Sequence, residues 1–106
     1  MTGTITELTD IARKVIESYG KKFDVNVTPE WKVMKLQEEL GELVHAFLVL
    51  NGQNRKSLPE AEAKTAFANE LADVLCFTLL LAQDHDVDIV QAVRDKWSPY
   101  VKQDET

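Results

Sequence analysis

Five carboxylates stand out in the 106-residue chain by type and spacing. Glu38, Glu39 and Glu42 fall in one segment, Glu70 and Asp73 in another. Glu39 and Glu42 are three apart, as are Glu70 and Asp73, so each pair takes neighbouring positions on one face of a helix. Two such pairs on adjacent helices can aim at one spot. No Lys or Arg lies between Glu70 and Ala82 to neutralise the second pair. Convergent carboxylates repel one another, and burying them bare is costly. A hard divalent cation with oxygen ligands, Mg²⁺ or Mn²⁺, resolves that conflict. For Glu38, Glu39 and Glu42 the competing reading is a solvated helix face. It is weaker for Glu70 and Asp73, whose neighbours are apolar.

Rigid elements must hold those groups. From Glu70 to Ala82 nothing breaks a helix, and Leu71, Leu75 and Leu79 cover one side while Val74, Phe77 and Leu81 cover another. A helix apolar all round belongs in an interior. The other carboxylate segment opens at Thr28-Pro29, an N-cap followed by proline at the first helical position. It runs to about Leu50 and stops at Asn51-Gly52. On its wheel Leu36, Leu40, Leu43 and Phe47 form the expected core stripe. Trp31, Lys35, Glu38, Glu42 and His45 share the opposite side, with Glu39 on its flank.

Two further helices follow from the same signals. Thr4-x-x-Glu7 is a capping box, and Leu8, Ile11, Val15, Ile16 and Tyr19 recur at helical spacing up to an expected end at Gly20. Lys21–Val27 reads as a linker. After a polar loop at 53–57, Ser57-x-x-Glu60 with Pro59 repeats the start signals for the third helix. Asp86 or Asp88 caps the fourth, expected over Ile89 to about Trp97 with Val90, Val93 and Trp97 as its apolar positions. Ser98-Pro99 should interrupt it. No stretch alternates like a strand. The expected fold is a single all-α domain over 1–106, a four-helix bundle. Its third helix needs cover on more sides than one short chain supplies, so dimerisation is expected to complete it.

Composition narrows the partners. At 44% hydrophobic and 28% charged residues the chain has the make-up of a soluble globular domain. A net charge of −6 with scattered basic residues argues against nucleic acid and against an anionic membrane. A phosphate compound remains open to it if a cation supplies the positive field. The single Cys76 cannot make an intrachain disulfide, which fits a reducing compartment. Met1–Asp10 lacks the form of a signal peptide, and no apolar run looks long enough for a membrane span. A cytoplasmic protein is expected.

Glu38-Glu39-Leu40-Gly41-Glu42-Leu43, followed by Glu70-Leu71-Ala72-Asp73-Val74-Leu75, resembles the E-E-x-x-E … E-x-x-D signature of MazG-type nucleotide pyrophosphohydrolases. Phosphoribosyl-ATP pyrophosphohydrolase and the dimeric dUTPases belong to the same superfamily. The resemblance covers the second and third helices. It implies that Glu39, Glu42, Glu70 and Asp73 ligate Mg²⁺, and that Glu38 binds a second metal or orients the attacking water. It also implies cleavage of a nucleoside triphosphate to the monophosphate and pyrophosphate, as in nucleotide-pool house-cleaning, by a homodimer or tetramer. Family members often carry Asn among the basic residues after the third helix. Here the segment is Lys96-Trp97-Ser98-Pro99-Tyr100-Val101-Lys102, with Tyr100 in place of Asn. Lys96 and Lys102 are the phosphate-contact candidates, Arg94 a lesser one.

Other readings compete. Trp31 either stacks on a base or packs against the first helix or a second chain. Lys35 either touches a phosphate or pairs with Glu38 or Glu39. Cys76 reads as a core residue. Glu42-x-x-His45 has the form of a di-metal carboxylate bundle ligand pair, but Glu70-x-x-Asp73 lacks the second His. Asp84-x-Asp86-x-Asp88 begins like a calcium loop, but Ile89 stands where Gly is needed. A non-enzymatic module that holds a metal or nucleotide without turnover is the alternative from another class.

Overall fold

Helix starts are set locally by hydroxyl caps. Thr4 Oγ1 accepts from the Glu7 amide at 3.0 Å and Thr28 Oγ1 from the Trp31 amide at 3.1 Å. The computed structural model describes residues 3–104, with side chains through 101. It comprises α1 (Ile5–Phe23), α2 (Pro29–Leu50), α3 (Glu60–Asp84) and α4 (Ile89–Asp104). No strand occurs among the described residues. Asp88 caps α4, its Oδ1 accepting from the Gln91 amide at 3.1 Å.

Three boundaries differ from expectation. α1 passes Gly20 and ends at Phe23, where Asp24 takes the left-handed conformation (φ 52°) and donates its N–H to the Gly20 carbonyl. Gly20 serves the turn differently: a Cβ there would meet the Val25 carbonyl oxygen at 3.0 Å. Ser57 does not cap α3. Pro59 is the residue before the helix, and no side chain bonds to the first turn. α4 continues through Ser98-Pro99 instead of breaking. Proline removes one amide and crowds the carbonyl four residues back. That carbonyl belongs to Asp95, which is exposed, so it is free to tilt towards water.

α2 and α3, joined by the 51–59 loop, form the main contact of the fold. Phe47 meets Phe67 beside the loop, ring centroids 5.8 Å apart, and Lys32 meets Asp84 at the far end. That order is the register of an antiparallel pair. α1 lies chiefly against α3, where Ala12, Ile16 and Leu80 form a buried cluster with Val27, Trp31, Cys76 and Phe77 against it. α4 packs closely on none of the others. The radius of gyration is 16.6 Å, whereas a compact domain of this length has about 13 Å.

The expected core stripe of α2 is corrected by about a quarter turn's rotation. Lys32, Ala46 and Val49 are its buried residues, while Leu40 and Phe47 are each 45% exposed. α1 reaches the first turn of α2 through Tyr19 and Trp31, ring centroids 5.7 Å apart, and the side of α2 that faces α3 lies nearer Lys32, Glu39 and Ala46. α3 is covered only in part. Leu79 and Leu80 are fully buried, but Leu71 and Leu75 are exposed. By length and composition α3 is apolar enough to cross a membrane, against the sequence reading. It carries Glu70 and Asp73 in mid-length, groups that are costly within a bilayer.

Lys32 is 2% exposed, a lysine at a core position. Its Nζ bonds Asp84 Oδ2 at 2.5 Å, and Arg13 Nη2 bonds Asp84 Oδ1 at 2.9 Å. One carboxylate thus ties α1 and α2 to the end of α3. Asp84→Asn would leave Lys32 charged and unpaired in the interior and should cost about 3–5 kcal/mol, read by urea denaturation at neutral pH. Burial alone would raise the Asp84 pKa, but the hydrogen bonds from Lys32 and Arg13 outweigh it and hold the group below its ordinary 3.8. A carboxyl depressed on folding stabilises above its unfolded pKa and loses that contribution as pH falls through the folded value. Stability of the unmutated chain should therefore fall more steeply below about pH 3.8 than that of Asp84→Asn. Equal slopes would show that the clamp contributes nothing.

Candidate functional site: an acidic cleft between α2 and α3

Glu39 leaves α2 on the side turned to α3, and Glu70 and Asp73 leave α3 one turn apart towards it. Their carboxylates each place an oxygen within 4.8 Å of the others. Glu70 Oε2 is sealed from solvent and has no hydrogen-bond partner. An unsatisfied buried acceptor costs about 1–3 kcal/mol, more when charged.

The site is visible in its proton affinity. Burial first, then the adjoining Glu70 carboxylate and the charge of Asp73, push Glu39 up to about 7, against a smaller pull from Lys35. The Cys76 thiol, half-buried one turn beyond Asp73, is also raised, by burial and then by the Asp73 charge. Glu39 and Glu70 are half-buried and Asp73 is exposed, so partial burial and like charges together favour the protonated form of Glu39.

The donor set fits a hard divalent ion. Octahedral Mg²⁺ with oxygens about 2.1 Å away sets adjacent ligands about 3 Å apart and opposite ones about 4.2 Å apart. The three carboxylate oxygens, within 4.8 Å of one another, are close to those spacings.

The five carboxylates singled out from sequence divide here. Glu39, Glu70 and Asp73 come together; Glu42 is exposed and lies outside the group. Glu38 turns to solvent and accepts from Lys35 Nζ at 2.9 Å, with its side chain 56% exposed. That bond holds the Lys35 pKa above its ordinary value. Lys35 Nζ also stands 5.9 Å from the Trp31 ring centroid. Trp31 itself packs between Tyr19 (5.7 Å) and Phe77 (6.0 Å, edge-on). It belongs to the seam between α1, α2 and α3, the second of its two readings. Lys96 is exposed on α4, and the Lys102 side chain lies outside the described residues. His45 contacts Asn54 of the following loop at 3.2 Å, not the acidic group, which leaves the di-metal pattern without its imidazole.

Sequence reasoning missed the clamp of Arg13, Lys32 and Asp84. The signal was present: Lys32 falls four before Leu36 and seven before Glu39, on the stripe that faces α3. A lysine there requires a carboxylate from another helix.

Compared with protein-family models, curated proteins and solved structures, the chain matches none.

Crowding of like charges has a direct thermodynamic consequence. With EDTA present, Glu70→Gln should melt at or above the temperature of the unmutated chain, because the amide removes a charge and adds a donor for Glu39 or Asp73. A fall of several degrees in thermal denaturation followed by circular dichroism would instead make the Glu70 carboxylate part of the framework.

Proposed function

We propose that the chain is a divalent-cation-dependent nucleoside triphosphate pyrophosphohydrolase whose metal is held by Glu39, Glu70 and Asp73. The observation that carries this reading is Glu70 Oε2, buried and unpartnered among two further carboxylates. The order of the acidic motifs along α2 and α3, similar to that of MazG-type enzymes, supports the choice of reaction. Mg²⁺ or Mn²⁺ bound there would screen the triphosphate and lower the pKa of a water ligand.

The side chains then have distinct tasks. Glu39, Glu70 and Asp73 would hold the cation between α2 and α3, with Glu39 ionised. Glu42, one turn beyond Glu39 and exposed, would be a fourth ligand. Glu38 is the carboxylate at the margin. It orients a water in line with the α-phosphorus and accepts its proton. Lys35, released from Glu38 as that group works, offers its ammonium to a phosphate oxygen. Trp31 positions Lys35 from within the helix seam. Lys96 and Lys102, on α4, are the remaining phosphate contacts. Water adds to the α-phosphorus, the bond from that phosphorus to the bridging oxygen breaks, and monophosphate and pyrophosphate leave. The substrate is a free nucleotide, since the net charge of −6 disfavours a nucleic-acid polymer. The working unit is at least a homodimer, in the cytoplasm.

Purified protein with Mg²⁺ and a panel of ordinary and modified nucleoside triphosphates should release pyrophosphate and monophosphate. EDTA should abolish that release, and Glu70→Gln and Asp73→Asn should lower it by more than about a hundredfold, a loss of roughly 3 kcal/mol of transition-state stabilisation. Mg²⁺ should raise the melting temperature of the unmutated chain, by about 2.7 kcal/mol of stability at a hundred times its dissociation constant, and leave Glu70→Gln nearly unmoved. Orthophosphate and diphosphate as products would refute the assigned bond. Stabilisation by metal with no product at all would instead support a metal-holding module without turnover.

A further inference from the structure

α2 and α3 are fastened together near both ends, and the acidic group lies between the fastenings. Beside the 51–59 loop, Ala46 and Val49 of α2 and Ala63 of α3 are buried, and Phe47 meets Phe67. At the far end Lys32 Nζ donates to Asp84 Oδ2 at 2.5 Å. Among the described residues that is the one hydrogen bond between α2 and α3. α1 is less dependent on Asp84. Arg13 donates to Asp84 Oδ1 at 2.9 Å, and also to Gln83 Oε1 at 2.6 Å and the Leu80 carbonyl at 3.5 Å.

Glu39 faces Glu70 and Asp73 across the stretch between the two fastenings. Ionised carboxylates that close repel, and here the repulsion pushes α2 away from α3. Apolar burial opposes that push without direction, so surfaces held by it alone can slide or turn. The ion pair is different. Lys32 is 2% exposed, and parting it from Asp84 would strand a charge in the interior. The end of α2 that no loop restrains is thus held by a contact that is costly to break.

We infer that Lys32 and Asp84 are positioning residues for the metal, a latch that holds α2 to α3 against the repulsion of Glu39, Glu70 and Asp73 and keeps the cleft narrow enough for a divalent cation. The inference rests on the reading of that cleft as a metal site and deepens it. A site held ready binds more tightly than one the ion must first gather, because the ordering is done in folding. Without the latch, part of the cation's binding energy is spent drawing α2 back.

Removing Asp84 alone would leave Lys32 bare, so the test removes both charges. In Lys32→Met/Asp84→Asn the methionine follows the path of the lysine stem, and the asparagine oxygen still accepts from Arg13. The net charge of the chain is unchanged, so its overall attraction for cations is too. Helical circular dichroism and the urea midpoint should stay close to those of the unmutated chain. Mn²⁺ alone, titrated in without nucleotide and followed by the loss of its free-ion electron paramagnetic resonance signal, should bind at least about tenfold more weakly, the scale seen when a group that orients metal ligands is removed. Should the double variant lose its helix, Asp84→Glu carries the test. It keeps the charge for both cations but lengthens the arm by one methylene, and it should also weaken Mn²⁺ binding. Unchanged Mn²⁺ affinity in the folded double variant, or in Asp84→Glu where that variant is needed, would overturn the latch and leave the metal site standing. An unmutated chain that binds no Mn²⁺ would overturn both.

Discussion

Asp84 is a single acceptor shared by cations from two other helices, and the arrangement of the fold depends on it. Lys32 reaches it from α2 and Arg13 from α1, at 2.5 and 2.9 Å. Because Lys32 and Glu39 are seven residues apart, they lie on nearly the same line of α2. Pinning the first to the end of α3 fixes the rotation of α2 and hence the direction of the second. Glu39 then faces Glu70 and Asp73, which lie about three to four turns back along α3. The fully compensated ionic site thus orients the uncompensated one. Between them the edge-on contact of Trp31 with Phe77 fills the seam.

The two polar sites show how one physical rule gives opposite results. A buried carboxylate with two cations is held ionised, and Asp84 sits below its ordinary pKa. A half-buried carboxylate among its own kind holds its proton more tightly, and Glu39 rises to about 7. Lys35 is the nearest cation to the second group but is bonded to Glu38. Moving that one ammonium inward would neutralise the cleft and remove its demand for a divalent ion. Its present place, on the solvent side, preserves that demand.

Much of this was legible in the sequence because it is decided within a few residues. Thr4, Thr28 with Pro29, and the pair Asp86 and Asp88 announced three helix starts, and Thr4, Thr28 and Asp88 make the hydrogen bonds their types suggest. The convergence of Glu39, Glu70 and Asp73 followed from spacing on two helices. What failed depended on contacts between elements. The wheel of α2 could not show which of its sides α3 would cover, and Leu40 and Phe47 stand exposed. Gly20 was read as a stop although its lack of a side chain serves the returning chain at Val25. Pro99 was read as a break, yet an exposed helix has water to satisfy the carbonyl it crowds. Glu42 shares its spacing with Glu39 but not its surroundings, and spacing alone does not distinguish the two.

The sparse interior has one more consequence, in calorimetric terms. Among the described residues only seven apolar ones are buried, and three of them are alanines. Ordinary domains gain about 12–15 cal/mol/K per residue in heat capacity on unfolding, through the apolar surface they expose. An isolated protomer has little such surface left to expose, so its increment falls below that scale. Its free-energy curve is correspondingly shallow, with a broad melt and little loss on cooling. Any assembly that covers Trp97, Leu71 and their neighbours moves the missing heat capacity into the association step. The curvature of stability with temperature then belongs to the complex and not to the chain.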